Sequence, residues 1–222
     1  GPSAEAVLAT LNPKVREMVF MDNWPLVLDG NACFVSRSGY TGEDGFEISV
    51  PAAAADSLAR RLLAHEDVAP IGLGARDSLR LEAGLCLYGH DIDANTTPPE
   101  AGLVWAIPKA RRTGGERAGG FPGADVILPQ IQNRNWARKR VGLVGADRVP
   151  VREGAALFNA DNEPVGQVTS GTFSPSLGVP IAMGYVQAGY EVVDTVVAAE
   201  VRGRRIPLVV TRLPLVEQRY LR

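Results

Sequence analysis

The sequence predicts an α+β protein in which a region of helices and antiparallel strands precedes a small, jelly-roll-like β-barrel. In the first region, apolar residues recur at helical spacing in some stretches and alternate with polar residues in others. Beyond residue 140, short apolar runs are separated by turns rich in Gly, Pro and Asn, as in all-β barrels. We therefore place one domain at residues 1–135 and a second at 136–222. The runs that indicate about six barrel strands are residues 141–144, 156–158, 164–170, 182–185, 195–201 and 206–211.

The first domain is predicted to contain a β-hairpin with a long loop. Residues 32–36 and 46–50 form the two strands, and the turn-rich residues 39–45 lie between them. In the second strand the apolar side chains share one face, and Glu47 lies on the other. Helices are predicted before Pro13, at residues 52–65 and at residues 75–83.

Composition excludes several classes of protein. The chain has 222 residues, of which 45% are hydrophobic and 22% charged, as is ordinary for a globular protein with a substantial core. The net charge of −2 gives no support for a nucleic-acid or anionic-membrane partner. No apolar run approaches the ~20 residues of a membrane-spanning helix.

The two cysteines, Cys33 and Cys86, do not suggest a disulfide framework in a chain of this length. We expect both to be reduced thiols in the cytosol, because residues 1–11 also lack the features of a signal peptide. No metal site is expected. Residues 90–93 (HDID) are better explained by hydrogen bonds within a loop, since His65 is the only other histidine.

Two charged residues are candidates for ligand binding. Glu47, on a rigid strand, presents a two-oxygen acceptor that suits a ring with two adjacent N–H donors, such as a pterin or guanine. The alternative is a solvated residue on the outer face of the strand. Arg76 lies near a predicted helix N-terminus, which favours anions, although it can also pair with Asp77 or Glu82 or simply be exposed.

Three aromatic residues are candidates for stacking on a flat ligand: Tyr40, Trp105 and Tyr220. The alternative for Trp105 is core packing, and a tyrosine so close to the end of the chain as Tyr220 is often frayed.

Several long motifs occur in the order in which one protein family carries them. Residues 39–48 (GYTGEDGFEI) resemble a YTGEDGxEI signature, and residues 74–84 (GARDSLRLEAG) resemble an ARDSLRLEAG segment. Residues 91–103, which include TTPPEAGL, resemble a TTPxEAGL segment, and residues 165–171, 174–177 and 182–186 match a C-terminal barrel. The family that these motifs resemble is the T-protein family of the glycine cleavage system.

The resemblance implies an aminomethyltransferase with a folate-binding sheet-and-helix region followed by the barrel. Such an enzyme transfers a one-carbon unit from the aminomethyl-lipoyl arm of a carrier protein, the H-protein, to the co-substrate tetrahydrofolate, and releases ammonia. Carried over by motif, Glu47 holds the pterin, Tyr40 and Trp105 line the folate pocket, and Arg76 and Tyr220 contact the substrate. The alternatives are a folate-dependent demethylase-type relative and a non-catalytic folate-binding module.

The resemblance also implies a larger N-terminal portion that carries the family's catalytic aspartate. No residue of these 222 matches that aspartate, so we assign no catalytic residue here and expect the isolated chain to be inactive. Two basic clusters, residues 109–112 and 138–140, are candidates for docking the carrier protein, with solvated loops as the alternative.

Overall fold

The computed structural model describes residues 1–146 and 148–222. These residues form two compact units. The N-terminal unit comprises residues 1–83 and 216–222, and the barrel unit comprises residues 84–215. The barrel itself begins at Arg138, and residues 84–137 group with it. The division into domains at residue 135 stays a prediction.

The N-terminal unit is built on a three-stranded antiparallel sheet in the order β1-β2-β3. The predicted hairpin is confirmed as β2 and β3, with Phe34 opposite Ser49 and Ser36 opposite Glu47. The elements of this unit are α1 (Ala4–Ala9), a 3₁₀ turn (Pro13–Glu17), β1 (Asn23–Leu28), β2 (Asn31–Ser36), β3 (Glu47–Ser49), α2 (Ala52–Leu63) and α3 (Leu73–Glu82).

Strand β1 was not predicted, although the sequence carries its signal. Asp29 and Gly30 join β1 to β2, and both adopt the positive φ that a tight two-residue hairpin turn requires. Pro25, which cannot donate a backbone hydrogen bond, is tolerated because β1 lies at the edge of the sheet.

One face of this sheet packs on the core of the N-terminal unit. Side chains alternate along each strand, so the inward positions are apolar and buried. Burial of each such side chain contributes about 1.5–3 kcal/mol to the free energy of folding. Glu47, Ser49 and Phe34 lie on the opposite, exposed face. The buried core residues are Leu8, Ala9, Val15, Met18, Leu26, Leu28, Cys33, Val35 and Leu58.

A buried arginine closes the base of the hairpin loop. Arg37 is only 1% exposed. Its guanidinium donates to both carboxylate oxygens of Asp44, at 3.0 and 2.6 Å, and to Glu5 at 2.7 Å. It also donates to the carbonyl of Met18 at 2.8 Å. Because every donor bond ends on the unit itself, Arg37 fixes the course of residues 37–44.

The barrel unit contains the predicted barrel. Six antiparallel strands close in the order β4-β7-β6-β5-β8-β9, and each of the six predicted runs lies within or overlaps one of them. Of the described residues between 138 and 211, none is helical. The elements of this unit are α4 (Pro98–Ala101), α5 (Ala124–Asn133), β4 (Arg138–Gly145), β5 (Ala156–Phe158), β6 (Pro164–Phe173), β7 (Pro180–Gln187), β8 (Val196–Val201) and β9 (Arg204–Thr211).

The inside of the barrel is filled by small and branched apolar side chains, as expected for a small closed barrel. No helix among the described residues combines the length and the apolar character that a membrane span needs. The barrel core consists of Val141, Leu143, Val151, Leu157, Val165, Val168, Ala182, Val186, Val197, Ala199, Ile206, Leu208 and Val210.

Candidate functional site

Glu47 begins β3 on the outward face of the sheet, where the hairpin loop ends. Its side chain is exposed, and the Ser38 hydroxyl donates a 2.7 Å hydrogen bond to its Oε2. A carboxylate has four lone-pair sites on its two oxygens, and this bond occupies one of them. Glu47 can therefore still accept two further hydrogen bonds from a ligand.

Arg76 and Tyr40 are brought together by the hairpin loop and α3. The guanidinium carbon of Arg76 lies 4.6 Å from the centre of the Tyr40 ring, within the range of a cation–π contact. Arg76 is exposed in the first turn of the helix. The suggested pair between Arg76 and Asp77 is not found. The Asp77 carboxylate instead accepts a 2.8 Å hydrogen bond from Nε of Arg80.

Tyr220 is ordered rather than frayed. Its ring stacks on Phe20 with the centroids 4.1 Å apart and the planes 12° from parallel. The backbone amide of Phe20 donates to the carbonyl of Leu221 at 2.7 Å. Burial raises the pKa of the Tyr220 hydroxyl, and a hydrogen bond from the backbone of Gly42 opposes that rise. The end of the chain is thus fastened to the hairpin loop.

The tip of the hairpin loop is held where only glycine fits. Gly42 has a φ of +77°, and a Cβ there would lie 2.7 Å from the Cβ of Ala83 at the end of α3. Its carbonyl accepts from the backbone amide of Arg219 at 2.8 Å. The loop that carries Ser38 and Tyr40 is therefore fixed at both its base and its tip.

Trp105 lies in the barrel unit on a short 3₁₀ turn, Val104–Ala106, and is 75% exposed. The alternative for Trp105, packing in a core, is wrong. Arg112 fastens this turn by donating to the carbonyls of Val104, at 2.8 Å, and Ile107, at 3.0 Å. Because the turn is short and its ends are tied together, the Trp105 ring projects outward.

Residues 90–93 form the hydrogen-bonded loop that the sequence suggested. Asp91 is 1% exposed and accepts from the hydroxyls of Thr169, at 2.5 Å, and Ser170, at 3.0 Å. A hydrogen bond from Thr96 lowers the pKa of Asp93. Among the described residues, no three His, Cys, Asp or Glu side chains are grouped so that they could hold a metal ion.

Four of the six cations in the two basic clusters donate to backbone carbonyls of the barrel unit. Lys139 donates to the carbonyl of Pro99, and Arg140 donates to the carbonyls of Ala101, at 2.8 Å, and Gly84, at 3.0 Å. Burial lowers the pKa of the Lys139 ammonium group. The carbonyls of Pro99 and Ala101 lie at the C-terminal end of α4, where positive charge is favourable. Arg111 and Arg112 also donate to backbone carbonyls.

Two residues next to the predicted site were missed by the sequence reasoning: Ser38 and Phe20. Ser38 directly precedes the recognised motif of residues 39–48, and its contact with Glu47 depends on the register of the hairpin. Phe20 is distant in sequence from Tyr220, so nothing in the local pattern connects them.

Two family models match this chain. One, described as the GCVT N-terminal domain, matches residues 1–111. The other, described as the glycine cleavage T-protein C-terminal barrel domain, matches residues 138–217. The chain belongs to the glycine cleavage T-protein family. The resemblance found in the sequence motifs is thereby confirmed.

Relatives of this family share both sequence and fold with the chain. Over 99% of its length it is 51% identical to the mitochondrial aminomethyltransferase of Gallus gallus and 46% identical to that of Homo sapiens. The matches cover 55% and 54% of those proteins. A crystal structure of glycine cleavage system aminomethyltransferase T from Bartonella henselae matches with a TM-score of 0.90 and 48% identity, over 98% of this chain and 58% of that one. The chain thus spans about half the length of the curated relatives it matches.

The predicted cytosolic location is contradicted. Relatives from Gallus gallus, Dictyostelium discoideum and Homo sapiens are named mitochondrial aminomethyltransferases. The prediction was based on two reduced cysteines, and neither Cys33 nor Cys86 forms a disulfide in the structure. Free thiols indicate a reducing environment, and that is a wider class than the cytosol.

Proposed function

We propose that the intact protein containing this chain is the tetrahydrofolate-dependent aminomethyltransferase of glycine cleavage. The reaction transfers the one-carbon unit from an aminomethyl-lipoyl carrier protein to tetrahydrofolate, forming methylenetetrahydrofolate, ammonia and the dihydrolipoyl carrier. The observation that carries this proposal is the match to proteins named aminomethyltransferase at 46–51% identity over 99% of this chain.

Glu47 is proposed to hold the pterin ring of the folate. Its exposed carboxylate has lone pairs available on both oxygens, and it stands on a paired strand at the end of a fixed loop. A pterin presents two adjacent N–H donors at a spacing that a carboxylate can accept simultaneously. Charge-assisted bonds of this kind are stronger than neutral ones, so Glu47 is expected to supply much of the selectivity for a pterin.

The other proposed folate contacts are aromatic or cationic. Tyr40 and Trp105 offer ring faces for stacking, and Arg76 offers a planar cation to the carboxylates of the folate tail. Tyr220 presents a hydroxyl on a ring held by Phe20. None of these groups is assigned the proton transfer of the reaction, so the proposed role of this chain is to bind and orient the folate.

The lipoyl carrier protein is the proposed macromolecular partner. The two basic clusters are not part of this proposal, because the donors of Arg111, Arg112, Lys139 and Arg140 are engaged by carbonyls of the barrel unit.

The proposal is tested by assaying the intact protein with tetrahydrofolate and two kinds of donor. Methylenetetrahydrofolate and ammonia should form with the aminomethyl-loaded carrier protein and not with free methylated amines. Turnover with methylated amines alone would identify a demethylase-type enzyme instead. Folate binding without turnover on either donor would identify a non-catalytic binding module.

A further inference from the structure

We propose that Ser38 is a positioning residue, which holds the Glu47 carboxylate in the orientation that receives the pterin. This inference rests on the proposed function, since it assigns a role within the same site. The observation behind it is the 2.7 Å hydrogen bond from the Ser38 hydroxyl to Oε2 of Glu47.

An exposed glutamate needs such a partner to be an effective acceptor. A free glutamate side chain samples many rotamers, and ordering it on ligand binding costs up to about 1.5–2 kcal/mol of side-chain entropy. Glu47 is exposed, so packing does not restrict it. The bond from Ser38 restricts the carboxylate before the ligand arrives, which reduces that cost.

The serine can act in this way because its own position is fixed. Arg37, its neighbour in the chain, is buried and bonded to both oxygens of Asp44. The backbone amide of Arg37 also donates to the carbonyl of Asp22 at 3.0 Å. On the other side, Glu47 is paired with Ser36 across the hairpin. Both ends of the Ser38–Glu47 bond therefore stand on backbone that is held independently of the bond.

The bond also leaves the site open. It occupies one lone pair of Oε2, so Oε1 and the second lone pair of Oε2 can accept the two N–H groups of a pterin. Neither side chain belongs to the core of the N-terminal unit. Loss of the bond should therefore affect ligand binding more than folding.

The test compares three serine substitutions in the intact protein by titration calorimetry with tetrahydrofolate. Ser38→Ala should weaken binding by roughly tenfold, the lower end of the range for a hydrogen bond to a charged group. Ser38→Thr keeps a hydroxyl and should stay within about threefold of the parent, because the donor is retained. The control is Ser49→Ala, which should leave the affinity unchanged. Ser49 is an exposed serine on the same strand and the same face as Glu47.

A double substitution separates positioning from a direct contact between Ser38 and the ligand. In a Glu47→Ala background, Ser38→Ala should cause no further loss, because the carboxylate it positions is gone. Equal losses with and without Glu47 would overturn the inference. So would an affinity of Ser38→Ala within about twofold of the parent while Glu47→Ala binds weakly, since a positioning bond should have a measurable effect. If Glu47→Ala itself binds normally, the proposed pterin site fails and this inference fails with it.

Discussion

The hairpin of the N-terminal unit and strand β4 of the barrel unit both concentrate charged side chains, but they use them differently. On β4, Lys139 and Arg140 donate to backbone carbonyls of α4 and so stabilise the packing of that helix. On the hairpin, Arg37 and Asp44 are paired with each other within the unit, whereas Glu47 points outward with acceptor capacity left. A charge run in a sequence therefore says little about ligand binding until the partners of each group are known.

The largest effect should come from the buried arginine of the hairpin. Replacing Arg37 with Ala leaves the carboxylates of Asp44 and Glu5 without their partner, and should reduce the free energy of unfolding by about 3–5 kcal/mol. Urea denaturation measures this. The matched control is Arg60→Ala, whose pair with Asp56 is 77% exposed on both sides and should change stability by less than about 0.5 kcal/mol. Similar losses for both would show that Arg37 does not hold the loop.

A smaller loss is expected in the barrel unit. Arg140→Ala removes the bonds to the carbonyls of Ala101 and Gly84, and should destabilise the protein by about 2 kcal/mol. Because the guanidinium of Arg140 is partly buried and directed at carbonyls of the barrel unit, the affinity for the carrier protein should keep the same salt dependence in the variant. A clear reduction of that salt dependence would instead show that Arg140 is part of the surface that binds the carrier protein.

The smallest effect concerns the contact between Arg76 and Tyr40. At an exposed site a cation–π pair contributes about 0.5–1 kcal/mol. A double-mutant cycle with Arg76→Gln and Tyr40→Leu should give a coupling free energy of that size in thermal unfolding. A coupling of zero would mean that the two side chains stack without stabilising each other, and that their placement depends on the backbone alone.

The barrel was predictable because each of its strands is indicated by the local sequence. Each has alternating or continuous apolar residues bounded by turn residues, and the six runs needed no long-range information. Helix α5 was missed for a local reason as well, since Pro129 lies inside it and Gly123 precedes it. Proline and glycine normally argue against a helix.

The site was only partly predictable. Glu47, Arg76 and Tyr40 are candidates because they lie in motifs, and the sequence pattern correctly placed Glu47 on the face of its strand opposite the apolar side chains. The hydrogen bond from Ser38 and the stacking of Phe20 on Tyr220 depend on hairpin register and on the fold of the chain end. Neither is encoded at short range. The exposure of Trp105 likewise depends on how Arg112 closes a turn that no periodicity indicates.

The most direct test of the account is the tetrahydrofolate affinity of the intact protein with Glu47→Gln. The amide keeps the size of the side chain but replaces one charged acceptor oxygen by a donor. If Glu47 holds the pterin through two hydrogen bonds, binding should weaken by about 2–4 kcal/mol, with the thermal unfolding midpoint essentially unchanged. A folded variant whose affinity changes by less than about threefold, or under 1 kcal/mol, would contradict the assignment of the pterin to Glu47.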